Sequence, residues 1–130
     1  MPLVWVYGTL KSGHRNHCVL GAKSVNHGPA VFTFQASAMY DVGFPIIMKG
    51  QSRIQVQGEL YHVDGATFRR LDVLESNGHM YKRRRKRLPD GRQAWVYIGM
   101  DKFWAPQRLV RPVQPDSDGV IRWNPTEWRA

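Results

Sequence analysis

The 130-residue chain has a single cysteine, Cys18, so an internal disulfide is excluded. This sparing use of cysteine fits a reducing compartment, and a cytoplasmic location is the expectation. The spacing places Cys18 in a short helical segment as a small buried residue. No apolar run approaches the roughly 18 residues of a membrane-spanning helix. The start lacks a basic stretch, and the apolar run Leu3–Val6 is far shorter than the roughly 7–15 residues of a signal-peptide core, so no signal peptide is expected. There are no internal repeats, low-complexity blocks or linkers. The five histidines lack metal-ligand spacing: His14 and His17 stand three apart, while His27, His62 and His79 extend no motif, so no metal is expected. Acidic residues are also scarce, 10 against 19 Lys and Arg, for a formal charge of +9.

Six of those positive charges lie in one uninterrupted run, Lys82-Arg83-Arg84-Arg85-Lys86-Arg87, without which the chain would carry only +3. The basicity is therefore local. No base-stacking motif accompanies the run, so nucleic-acid binding is not expected as the main function. A half-buried strand cannot hide consecutive guanidiniums cheaply. The run is expected to be an edge or protruding strand, with long side chains reaching past apolar neighbours.

What is present suits one domain spanning residues 1–130, since the length supports one core and 42% of residues are apolar. Leu3–Val6 reads as a short strand that breaks at Gly8. His14–Ala22 reads as a short helix stopped by Gly21. Strands are expected at 30–36, at 38–42 and, after the Gly43-Phe44-Pro45 break, at Ile46–Met48. Lys49-Gly50-Gln51 reads as a turn. Ile54–Val63 alternates apolar and polar residues, as a half-buried strand does, and Gly58 within it signals a bulge or a close backbone approach. The best helix follows Asp64-Gly65-Ala66-Thr67 and ends at Asn77-Gly78, with Phe68, Leu71 and Leu74 on one side. The basic run and Gln93–Ile98 form a hairpin across Pro89-Asp90-Gly91. The segment 102–130 reads as an irregular tail, but Trp104, Trp123 and Trp128 favour docking on the body. The fold class is α+β, a small mixed barrel or curled sheet with two helices.

Two stretches carry candidate chemistry. Tyr7-Gly8-Thr9-Leu10 ends the first strand with a phenol, a glycine that permits close approach or positive φ, and a hydroxyl. A Gly-containing turn there exposes backbone N–H groups suited to an anion or oxyanion. Glu75 closes the helix beside apolar neighbours, and desolvation there raises a carboxyl toward the range of a general acid or base. Read from spacing alone, the loop is equally an ordinary turn and Glu75 a solvated helix end. Asp72, three residues earlier, is expected to be exposed or paired with an arginine.

The motifs resemble a known family. Val4-Trp5-Val6-Tyr7-Gly8-Thr9-Leu10 is similar to the opening signature of the gamma-glutamylcyclotransferase-like proteins. Lys11-Ser12-Gly13, Asn16-His17 and Leu20 resemble the continuation in the gamma-glutamylamine branch. Phe68, Leu71-Asp72, Leu74-Glu75-Ser76, Tyr81 and Arg83 resemble the second signature, and Gly58-Glu59-Leu60-Tyr61 the strand before it. Asp118-Gly119 and Arg122-Trp123-Asn124-Pro125-Thr126-Glu127 resemble the ending of the amine branch.

The resemblance implies an enzyme that closes a gamma-glutamyl amide on its own α-amine, releasing 5-oxoproline and a free amine without cofactor or metal. Glu75 takes the role of general acid/base. Tyr7, Gly8, Thr9 and Leu10 hold the glutamyl group. Tyr81 is a second phenol at the site, and Pro45 and Ile46 belong to a turn that walls the pocket. The small-molecule substrate would be the main partner; the sequence leaves the oligomeric state open, with a monomer slightly favoured. The basic run departs from the family pattern, in which this strand alternates with apolar residues. The alternative reading is a non-catalytic module that binds a small molecule in the same pocket, or a nucleic acid or other polyanion through Lys82–Arg87.

Overall fold

The computed structural model describes residues 2–11, 17–21 and 23–124. The described elements are β1 (Leu3–Val6), a 3₁₀ turn (His17–Leu20), β2 (Val25–Asp41), β3 (Pro45–His62), α1 (Gly65–Leu74), β4 (Tyr81–Arg87), β5 (Gln93–Gly99), α2 (Asp101–Trp104) and β6 (Val120–Ile121). The sheet has six strands in the order β2-β3-β1-β5-β4, with β6 parallel to β3. β1 pairs antiparallel with β3 and parallel with β5. The sheet curls but does not close into a barrel, because β2 and β4 stand at its two ends without pairing.

The two faces of the curl carry separate cores. Trp5, Phe32, Phe34, Val56, Val96, Ile121 and Trp123 fill the inside. On the other face Val4, Val6, Tyr61, Leu71, Tyr81, Tyr97 and Trp104 pack beneath the helices. The period of two along β1 produces this split, since Trp5 points one way and Val4 and Val6 the other.

Several expectations change. The two strands expected at 30–36 and 38–42 are one, and so are those expected at 46–48 and 54–63. Lys49-Gly50-Gln51 is not a turn but a bulge: Ala36 of β2 pairs with both Lys49 and Ser52. Gly50 is required there because a Cβ would run into the backbone of Ser37. Gly58 likewise lets the Trp5 indole lie on the strand, and the indole N–H donates to the Ala30 carbonyl at 3.0 Å.

The described part of the expected helix 14–22 is only the 3₁₀ turn at 17–20; His14 and Asn16 lie outside the described residues. In that turn Leu20 points inward and Cys18 is exposed, which corrects its expected burial. Beyond residue 101, Trp104 and Trp123 are buried, and α2 and β6 give the segment regular structure. Trp128 and the end of the C-terminal motif lie outside the described residues. No helix among the described residues is long and apolar enough to cross a membrane.

Candidate active site

At the C-terminal end of β1 the chain makes a tight turn, closed by a 3.0 Å hydrogen bond from the Lys11 N–H to the Gly8 carbonyl. Gly8 does not use its freedom to take positive φ. It is needed for contact, since a Cβ there would lie 2.7 Å from the ring carbons of Pro45. The turn is tied down on two further sides. The Lys11 ammonium donates to the Trp123 carbonyl at 2.8 Å, and His17 Nδ1 meets the Leu10 carbonyl at 2.9 Å. Burial lowers the Lys11 pKa, partly offset by Glu59.

α1 begins at Asp64, whose carboxylate accepts the Thr67 N–H at 2.7 Å, an N-cap. It ends at Glu75 rather than at Asn77-Gly78. The Ser76 N–H donates to the Val73 carbonyl at 3.1 Å and the Asn77 N–H to that of Asp72 at 2.9 Å, the paired bonds of a Schellman motif. Ser76 sits in the left-handed region at φ 49° to close it, a position usually given to glycine or asparagine. This turn holds Glu75 as the C-cap of α1.

The loop and the cap meet at a 260 Å³ cavity. Tyr7, Gly8, Thr9, Leu10, Pro45, Glu75 and Tyr81 all line it, although they come from four separate stretches of chain. Ile46 does not: it is fully buried in the core beneath, with its Cγ2 against Gly99. Sequence reasoning missed Met80, Leu74 and Tyr97 as lining residues. The strand alternation that places Tyr97 on the same face as Trp95 was the only signal for it.

The Glu75 carboxyl is partly buried, and desolvation pushes its pKa up to about 7. It has no cationic partner among the described residues. The C-terminal end of α1 carries partial negative charge, which acts in the same direction. The two phenols are arranged alike. Tyr7 donates its proton to the Tyr97 carbonyl at 2.6 Å, and Tyr81 donates to the Pro45 carbonyl at 2.9 Å. Burial raises both pKa values, with Glu75 contributing to each, so both phenols stay neutral. With their protons committed to carbonyls, their oxygens can only accept from a ligand. The cavity thus offers two phenol acceptors, a carboxyl that titrates near neutrality and a polypeptide turn.

A curled α+β sheet, with the turn after its first strand and the carboxyl that caps α1 lining one cavity, is the architecture of a small cyclotransferase-type fold. The chain belongs to the gamma-glutamyl cyclotransferase, AIG2-like family, whose profile matches residues 4–120. The human gamma-glutamylaminecyclotransferase is 36% identical, covering 99% of this chain and 100% of its own. A protein of Vibrio cholerae named as a putative gamma-glutamylcyclotransferase is 38% identical over 74% of this chain and 80% of its own. Among solved structures, a mouse AIG2-like protein superimposes with a TM-score of 0.72 at 29% identity, over 99% of both chains.

Proposed function

We propose that this protein is a gamma-glutamylamine cyclotransferase, which converts a gamma-glutamyl amide into 5-oxoproline and a free amine. The observation that carries this reading is Glu75: a carboxyl with a pKa near 7, facing two phenols that can only accept hydrogen bonds. An α-ammonium is a donor with three protons, and such a site is its complement. The relatives that match essentially end to end carry the gamma-glutamylaminecyclotransferase name, which supports the amine branch.

The substrate's α-ammonium sits against the Tyr7 and Tyr81 oxygens, and the Glu75 carboxylate takes a proton from it. The freed nitrogen attacks the γ-carbonyl carbon and forms the new C–N bond. Backbone N–H groups of the Gly8–Leu10 turn receive the developing oxyanion. The tetrahedral species then collapses and the amide C–N bond breaks. Over the whole reaction two protons pass from the α-nitrogen to the leaving nitrogen, so the amine departs as an ammonium. A carboxyl that titrates near neutral pH can accept each proton and return it. No water is consumed. Fixing an extended glutamyl chain in its cyclised pose supplies much of the acceleration, since well-oriented intramolecular attack reaches effective molarities on the order of 10⁵–10⁸ M.

The test is to incubate the protein with gamma-glutamyl-ε-lysine, gamma-glutamyl alkylamines and gamma-glutamyl dipeptides and to measure 5-oxoproline. Formation from the amines supports the reading. Saturable binding of these compounds without product would replace it with the non-catalytic binding module.

A further inference from the structure

The ends of the sheet leave a seam. Phe34 and Ala36 of β2 face Arg84 and Lys86 of β4 across a 260 Å³ groove floored by Val96 and Ile98. Lys49 of β3 adds a further positive charge at its rim. The groove is apolar at its base and basic along its edge.

The outer edge of β4 is an unfinished hydrogen-bonding ladder. Arg83 directs its N–H away from β5, donating to the Asn77 side chain at 2.9 Å. Tyr81 likewise directs its carbonyl outward, accepting from the Gly78 N–H at 2.7 Å. Leu88 and Met80 instead bond across to Arg92 and Met100. In an antiparallel pair these directions alternate, so Arg85 and Arg87 also point their N–H and C=O outward. Among the described residues nothing accepts or donates to those groups.

The charge on the strand selects among occupants. A second copy pairing β4 to β4 would set six positive charges against six, which is a device against self-association. Single-stranded nucleic acid is held through open aromatic faces on which its bases stack, yet the aromatics along the run are already faced by cations. Arg83 and Arg85 lie 4.9 and 4.8 Å from the Trp95 ring, and Lys86 lies 4.9 Å from Phe34. An acidic chain in extended conformation meets the open ladder and the charge together.

We propose that the outer edge of β4 binds an acidic extended peptide as an added strand. The peptide pairs with the outward N–H and C=O groups of Arg85 and Arg87. Its carboxylates lie on the Arg85–Arg87 face, and its alternate apolar side chains drop toward Phe34 and Val96. This interaction is independent of the cyclotransferase reading, because the seam does not share residues with the catalytic cavity.

The probe is a fluorescein-labelled octapeptide of alternating Glu and Val, titrated by fluorescence anisotropy. Controls are the same peptide N-methylated at alternate residues and a single-stranded oligonucleotide of equal charge. The expected result is binding that weakens as salt rises and is lost on N-methylation. Amide exchange at Arg85 and Arg87 should slow by tenfold or more when the peptide is bound. Two variants separate ladder from charge. Arg85→Ala removes one charge and keeps the N–H, whereas Arg85→Pro removes both without touching the β4–β5 bonds, as an edge strand tolerates. Binding to Arg85→Pro should be roughly tenfold weaker than to Arg85→Ala. If Arg85→Pro does not fold, as judged by circular dichroism, exchange protection in the unaltered protein decides. Absence of peptide binding, equal losses in the two variants, unslowed exchange, or tighter binding of the oligonucleotide would each overturn the proposal.

Discussion

The Tyr97 phenol donates a 2.6 Å hydrogen bond to the Asp72 carboxylate, and Arg83 meets the same carboxylate at 3.2 Å. β5, α1 and β4 are thereby fastened together one helical turn before Glu75. The Arg83 guanidinium also lies 4.4 Å from the Phe68 ring, so the anchor has an apolar side. Asp72→Ala leaves a buried phenol without its acceptor and should cost about 2 kcal/mol in urea denaturation. Because Glu75 loses its fixed position, kcat for 5-oxoproline release should fall further than KM rises. Asp72→Asn keeps an acceptor for Tyr97 and loses only a partly exposed ion pair, which is worth at most about 1 kcal/mol. A larger penalty for Asn than for Ala would contradict this assignment.

Glu75 links stability and activity to pH in opposite directions. Its carboxyl ionises near the ordinary 4.5 when unfolded and near 7 when folded. Between those values the folded state holds more protons, so stability falls as pH rises through this window and levels off above it. The full penalty is on the order of 3 kcal/mol before solvent reach into the cavity reduces it. Glu75→Gln removes the penalty. The variant should melt higher than the unaltered protein at about pH 8 and at the same temperature at about pH 4. Turnover of the unaltered protein should rise through pH 7 as the base ionises, and the Gln variant should lose at least about 10²-fold. A flat pH–rate profile would remove Glu75 from the proton transfers.

The fold and the site were legible to different depths. The sheet's alternation and the N-cap of α1 are local signals, and both strands of the β4–β5 hairpin stand at the expected positions. The basic run does lie on an edge strand, where its charges stay solvated or ride over aromatic rings. What local reading lost was continuity. A glycine between two extended runs reads as a turn, but at Gly50 the partner strand stays paired on both sides and the same residue makes a bulge. The end of α1 was misplaced because Ser76 takes a backbone conformation that serine rarely adopts and composition does not announce. The cavity was visible only as separate motifs. Nothing in the spacing of Tyr7 and Tyr81 indicates that each gives its proton to a backbone carbonyl, and that detail decides what the pocket can recognise.

Gly8 and Pro45 test whether the turn's position matters. A methyl group at residue 8 would sit 2.7 Å from two ring carbons of Pro45, so the turn and the β3 entry must separate. Gly8→Ala should cost about 1–3 kcal/mol of stability, as overpacking does. On the proposed mechanism it should also lower kcat by tenfold or more, by displacing the N–H groups that receive the oxyanion. The double variant Gly8→Ala with Pro45→Ala makes room for the methyl group and should recover part of both losses. If the double variant is as impaired as the sum of its single changes, the contact is not what fixes the turn.

Ser76 carries a backbone cost that glycine would not. At φ 49° a side chain is crowded against its own backbone, while glycine is at ease, so Ser76→Gly should stabilise the protein by about 1 kcal/mol. The gain comes with the Schellman bonds intact, because these use only the backbone of Ser76, Asn77, Val73 and Asp72. Glu75 stays the C-cap, so kcat should remain within about twofold of the unaltered protein. Ser76→Val makes the opposite prediction. A β-branched residue in this conformation is strained further, and the helix end must unwind to relieve it. That variant should lose stability and, with Glu75 no longer held at the cavity, most of its turnover. Thermal melts of the pair alongside 5-oxoproline assays separate the two effects. Equal activity in the Gly and Val variants would mean that the left-handed turn does not position the carboxyl.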